Sequence, residues 1–155
     1  MLQGGLKGNE KTVVGVDPGV NFGLTIINRE LVSIYYGKLP TDKRPGWRGI
    51  YTYDYVTKTS PLKDYHWNEY VEKPVAIVEG ASYNDRHGQV TLEEVRFGFF
   101  FALYNLGFDV HIVPPMSIRK LATGSGRHSI GDDFPSMNSN AADSLGAALA
   151  ALKEN

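Results

Sequence analysis

Three acids sit where a carboxylate can do chemistry. Asp17 closes a short apolar, β-rich run over 12–16, Glu79 closes a second over 75–78, and Asp143 falls in the first turn of the last helical stretch. Carboxylates at the ends of buried strands are costly unless positive charge compensates them. In open α/β sheets, ligand sites gather at strand ends. Oxygen donors of this kind suit hard divalent cations, Mg2+ or Mn2+. Two such ions, roughly 4 Å apart, clamp a phosphodiester and activate water. Each acid also has a structural reading. Asp17-Pro18-Gly19 consists of turn formers, Glu79-Gly80 suits an exposed strand end, and Asn140 with Asp143 has capping-box spacing. Taken singly, the structural reading is the better one. Taken together, in this order of elements, the three favour a metal site.

The surrounding pattern supplies the elements that must hold them. Residues 12–16, 22–27 and 31–36, separated by Asp17-Pro18-Gly19 and Asn28-Arg29-Glu30, predict three consecutive antiparallel strands. Residues 38–72, rich in Pro, Gly and Tyr, predict an irregular loop followed by helix. Residues 75–78 predict a buried strand. Thr91-x-x-Glu94 fits a capping box, and Leu92, Val95, Phe99, Leu103 and Leu106 then recur at helical spacing up to Gly107, a C′ glycine. Residues 110–113 predict a third buried strand, residues 117–123 a short helix ending at Gly124, and 124–138 a loop. The last helix, 140–153, carries Leu145, Leu149 and Leu152 as its expected buried stripe. A hairpin-led sheet followed by alternating helices and strands is α/β with a mixed sheet. Residues 1–11 read as a flexible leader, and 12–155 as a single domain.

Composition narrows the classes. A chain of 155 residues, 42% hydrophobic and 21% charged, is about one globular domain. It has no cysteine, which excludes disulfides, thiolate metal sites and cysteine nucleophiles. No apolar run approaches the ~20 residues of a membrane span, and the N-terminus lacks the apolar core of a signal peptide. A cytoplasmic protein with no membrane partner is expected. The net charge of −1 hides a local bias. Residues 31–50 hold four bases (Lys38, Lys43, Arg44, Arg48) against one acid, and 111–131 hold Arg119, Lys120 and Arg127 against none. Such patches are either solvated loops or grips for phosphate. His128 lies in the second patch. Other motifs fail. Lys11-Thr12 follows Glu10 where a P-loop needs glycine, there is no G-x-S-x-G, and the four histidines lack metal-ligand spacing.

Four segments resemble the RuvC-type Holliday junction resolvases of the ribonuclease H-like superfamily. Val14-Gly15-Val16-Asp17-Pro18-Gly19 resembles the family's first-strand motif, and Ala76-Ile77-Val78-Glu79 its Glu-bearing strand. Val113-Pro114-Pro115 with Ser117-Ile118-Arg119-Lys120 and Thr123-Gly124-Ser125-Gly126 resembles its basic helix and Gly-containing loop. Ala141-Ala142-Asp143-Ser144-Leu145 resembles its last-helix motif. Each motif is short, and their order makes the match. The resemblance implies a five-stranded mixed sheet led by three antiparallel strands and flanked by helices. It implies a homodimer that binds four-way junction DNA and nicks it in pairs by Mg2+-dependent hydrolysis, leaving 5′-phosphate ends. It implies Asp17, Glu79, Asn140 and Asp143 as the metal positions, for two ions per site. Arg119 falls where the family usually has a catalytic lysine, with Lys120 beside it. Arg119, Lys120, Arg127 and His128 are then expected to hold the scissile strand, with contributions from Arg44 and Arg48. Tyr83 is a candidate wedge that stacks on a base. The surplus aromatics Phe97, Phe100, Phe101 and Tyr104 suggest the dimer face. The source would be a bacterium or a bacteriophage.

One departure stands out. The family's last helix usually opens Asp-Ala-Ala-Asp, and here it opens Asn140-Ala141-Ala142-Asp143. An amide offers a carbonyl oxygen but no charge. Three explanations compete: a tolerated natural change, a charge supplied by Asp132 or Asp133, or a deliberate inactivation. Rival readings are a branched-DNA-binding protein that does not cut, and a ribonuclease H-like nuclease acting on RNA or RNA–DNA hybrid. The first motif also resembles the phosphate loop of actin-like ATPases, which need two such domains.

Overall fold

A computed structural model describes residues 11–29, 31–65, 72–81 and 89–153. The first apolar run forms β1, Thr12–Asp17, which is buried up to its last residue. It turns into β2, Asn21–Asn28, and then β3, Leu31–Lys38. The chain next forms helix α1, Trp47–Asp54, extended by one π-helical turn over Tyr55–Thr59. Strand β4 spans Val75–Glu79, helix α2 Gln89–Asn105 and strand β5 Asp109–Val113. Helices α3, Pro115–Thr123, α4, Ile130–Asp133, and α5, Ser139–Lys153, complete the order.

The five strands make one sheet in the order β3-β2-β1-β4-β5. β2 pairs antiparallel with β1 and β3, while β1/β4 and β4/β5 are parallel. Two apolar faces follow from the alternation of side chains along a strand. Val14, Val16, Leu24, Ile26, Ala76 and Val78 face α1 and α2, where they meet Val56, Phe99 and Leu103. Val13, Ile27, Val75 and Ile77 face α5 and α3. The odd-numbered residues of β1 and β4, Asp17 and Glu79 included, belong to this second face.

Helix α5 lies unusually close to the sheet. A β-carbon on Gly15 would overlap the backbone of Ser144 and Ala148, and one on Gly23 would overlap the carbonyl of Asn140. This approach corrects the expected leucine stripe in part: Leu149 packs, partly buried, against the second apolar face. The buried face is small: Ala141, Ala142, Ser144, Ala147, Ala148, Ala150 and Ala151, with Leu152 45% exposed. Large side chains cannot fit where two backbones touch. Ser144 Oγ is instead hydrogen-bonded to Thr25 Oγ1 at 2.8 Å, in a buried setting.

Other expectations shift locally. Thr91 lies inside α2, which is already helical at Gln89, so Thr91 is not its cap. Gly107 does end α2, with φ 99° and the paired bonds Phe108 N–H to Leu103 O and Gly107 N–H to Tyr104 O. β5 is an edge strand with partly exposed residues, not a buried one, because nothing pairs beyond it. His111 there bonds Asp109 at 3.1 Å. The 124–138 segment includes the short helix α4, closed by a reciprocal capping box between Ser129 and Asp132. The expected helix after residue 38 is α1 with its π-helical turn. Nearly all of the expected leader is outside the described residues. No helix among the described residues is long and apolar enough to cross a membrane.

Candidate metal centre

Asp17 ends β1, Glu79 ends the neighbouring parallel strand β4, and Asp143 comes down from the first turns of α5. Residues separated by most of the chain therefore converge, and a carboxylate oxygen from each lies within 4.8 Å of the other two. Among the described residues this is the one group of His, Cys, Asp or Glu that could hold a cation. Burial costs the ionised forms heavily. Desolvation, then the charges of Glu79 and Asp143, push Asp17 up from 3.8 to about 8. Desolvation and Asp143 push Glu79 up from 4.5 to about 7, against the opposing pull of Arg119 and Arg96. Burial also raises Asp143, with Arg119 opposing it. Asp17 and Glu79 share a hydrogen bond, so the pair keeps a proton near neutrality and titrates as a unit. A hard cation would replace that proton. The donor set fits Mg2+ or Mn2+: oxygen atoms alone, negatively charged, open to solvent on one side.

Asn140 joins this site by position. It precedes Asp143 by three residues in α5, which puts both on one helix face. Its backbone carbonyl rests over Gly23, the register partner of Asp17. The expected capping role belongs to Asn138 instead, whose Oδ1 accepts the N–H groups of Asn140 and Ala141 at 2.9 and 3.1 Å. The amide of Asn140 is thus not spent on capping the helix. Asp132 and Asp133 are not members of the three-carboxylate group. Asp132 Oδ2 accepts the Ser129 N–H at 2.9 Å, and Asp133 bonds His128 Nε2 at 2.8 Å.

Arg119 leaves α3 exposed and acts electrostatically on Glu79 and Asp143. A narrow cleft lined by Glu79, Arg119, Thr123, Ser129, Ala142 and Asp143 joins it to the carboxylates. Lys120 and Arg127 are exposed nearby in sequence. His128 is different. It sits between Asp132 and Asp133, at 3.6 and 2.8 Å, so its ring is engaged within its own loop. Arg44 and Arg48 are placed with α1, across the sheet from the carboxylates. Arg44 grips Asp42 through both Nε and Nη2, the latter at 2.6 Å, and stacks 3.7 Å over the Trp47 ring. Arg48 Nε donates to the Asp42 carbonyl at 3.0 Å. Both arginines brace the turn into α1. Tyr83 lies outside the described residues.

Arg96 is the residue that sequence reading passes over. It is 3% exposed, in α2 directly behind β4. Its Nε donates to the Glu79 carbonyl at 3.0 Å, and Nη1 pairs with Glu93. It fixes the strand end that carries Glu79. The only signal in the sequence is a lone guanidinium between the apolar residues Val95 and Phe97.

The architecture can now be set beside solved structures. A Thermus thermophilus RuvC structure matches it at TM-score 0.58 and 16% identity, covering 90% of this chain and 92% of that one. The fold is RuvC's. T. thermophilus RuvC in complex with a Holliday junction substrate matches at TM-score 0.60 and 16% identity, covering 93% and 94%. The RuvC likeness therefore spans nearly the whole of both chains, and the expected ribonuclease H-like sheet is the one found. In sequence, no family model and no curated protein matches this chain.

Proposed function

We propose that this chain is a metal-dependent endonuclease that resolves four-way (Holliday) DNA junctions. The observation that carries this reading is the convergence of Asp17, Glu79 and Asp143 within 4.8 Å at the ends of two parallel strands and a helix. The RuvC fold supports it, and one of the matching RuvC structures is a complex with a junction substrate.

Asp17, Glu79 and Asp143 would hold Mg2+ or Mn2+, two ions per site, with the side-chain amide oxygen of Asn140 as a neutral donor. Such ions would supply charge neutralisation and an activated water for phosphodiester hydrolysis, and the resemblance implies 5′-phosphate ends. The chain's own residues do the rest. Arg119 holds the phosphate at the mouth of the cleft, and Lys120 and Arg127 extend the grip along the backbone without reading sequence. Arg96 keeps Glu79 in place. The partly buried site limits bulk water around the reacting phosphate.

Paired nicking needs two sites, so the active form is a homodimer. The outer face of α2 supports this: Phe97, Phe101 and Tyr104 are 45%, 54% and 64% exposed, beside Ile50 of α1. In the same groove, Glu94 Oε1 is buried without a hydrogen-bond partner among the described residues. The setting would be the cytoplasm of a bacterial or phage-infected cell.

Asn140 favours a second reading, a junction-binding chain that cuts slowly or not at all. Competition among a labelled four-way junction, plain duplex and RNA–DNA hybrid tests the substrate. The proposal expects the junction to win, with Mg2+-dependent nicks. Preference for hybrid, or none, would reject it.

A further inference from the structure

The sheet register places one more pair of residues beside the metal ligands. Asp17 lies opposite Gly23 on β2, and Gly23 lies opposite Tyr36 on β3. Directly opposed residues share a face, so Tyr36 projects on the carboxylate side of the sheet. Lys38, two residues on, projects on the same side, opposite Asn21. The first turn of α5 rests on Gly23. Tyr36 is left 64% exposed on the edge strand.

We propose that Tyr36 and Lys38 form a nucleic-acid subsite on the far side of the metal centre from Arg119, the ring stacking on a base and the ammonium pairing with a phosphate. This rests on the nuclease reading above. Three observations converge on it. The ring and the ammonium have no hydrogen-bond, ring or ion-pair partner among the described residues. They lie at the same end of the sheet as Asp17. And the order across that end runs Lys38 and Tyr36, Asp17, Glu79, then Arg119, so cations bracket an acidic centre that would otherwise repel both flanks of a strand. A strand crossing the carboxylates from α3 meets Tyr36 next. Two strand spacings separate Asp17 from Tyr36, about 10 Å. At about 3.4 Å per stacked nucleotide, the contacted base is two or three nucleotides from the scissile phosphate. A lysine on an edge strand commonly discourages strand pairing, but that role does not account for an exposed aromatic on the metal-ligand face. Stacking on an aromatic ring is sequence-tolerant, because every base has a π-face.

The test uses four-way junctions carrying 2-aminopurine at successive positions on either side of the crossover. They are titrated with the full chain in Ca2+, and affinity is measured in parallel. The parent and Tyr36→Phe should quench one narrow window of positions, and Tyr36→Leu should not. Tyr36→Leu should bind about 5- to 150-fold more weakly, the range for one stacked base. Lys38→Met should reduce the salt slope by about one contact. Thermal midpoints should match the parent's, since both side chains are exposed. Unchanged quenching and affinity in Tyr36→Leu would overturn the subsite and leave the nuclease reading standing. Failure of the parent to bind any junction would overturn both.

Discussion

Raising the pH should destabilise the cation-free protein, and Asp17→Asn should remove the share of that effect that belongs to Asp17. Asp17 climbs from 3.8 to about 8 on folding, and Glu79 from 4.5 to about 7. Between these limits the folded chain holds a proton that the unfolded chain has released. The stability linked to it is fully present below the unfolded value and is lost as pH rises through the folded one. At about 1.4 kcal/mol per pH unit, the climb at Asp17 sets a ceiling of about 6 kcal/mol. Solvent at the mouth of the site, and the proton shared with Glu79, reduce this to about 2–3 kcal/mol. For a chain of this length that is about 5–10 °C in thermal midpoint. Melting curves from pH 5 to pH 9 in a chelator, for the parent and Asp17→Asn, read it directly. The parent should fall by that amount and recover at pH 8.5 on adding Mg2+, while Asp17→Asn should fall by clearly less, keeping only the part that the burial of Glu79 and Asp143 contributes. A level parent, or an equal fall in both proteins, would show that the three carboxylates do not share this site.

Further substitutions separate the remaining roles. Glu79→Gln should abolish cutting while keeping or tightening junction binding, because a charge that repels phosphate is gone; normal cutting would remove Glu79 from the site. Arg119→Ala should slow cutting and lower the salt slope of binding by about one contact, and an unchanged rate would place Arg119 elsewhere. Arg96→Met leaves the Glu79 carbonyl without its donor, a cost of about 1–3 kcal/mol. Calorimetry with Mn2+ should show weaker binding to that variant, partly restored in Arg96→Lys. Equal Mn2+ affinity in all three proteins would limit Arg96 to a packing role.

The strands that carry Asp17 and Glu79 were legible because each is a run of β-branched residues stopped by turn formers, a purely local signal. What local patterns do not encode is how closely elements approach. The leucines of α5 looked buried because they are large, yet Gly15 and Gly23 let the helix backbone touch the sheet, and only alanines and Ser144 fit that contact. Asn138, Ser139 and Asn140 are all good caps by type; the backbone path selects Asn138, whose Oδ1 accepts the N–H groups of Asn140 and Ala141. The basic patch ending at Gly131 looked uncompensated because its window stopped one residue short of Asp132 and Asp133, which fold back on His128. Arg96 was hidden because its partner is a backbone carbonyl, which no sequence pattern marks.

The most direct test pairs this chain with Asn140→Asp on a labelled four-way junction, with and without Mg2+, reading binding in a native gel and cutting in a denaturing one. Restoring the fourth carboxylate should raise Mg2+-dependent paired nicking more than about tenfold, ~1.4 kcal/mol in barrier, with junction affinity little changed. If neither protein prefers the junction to duplex, or neither cuts it with Mg2+ present, then the carboxylate cluster is not the centre of a junction resolvase.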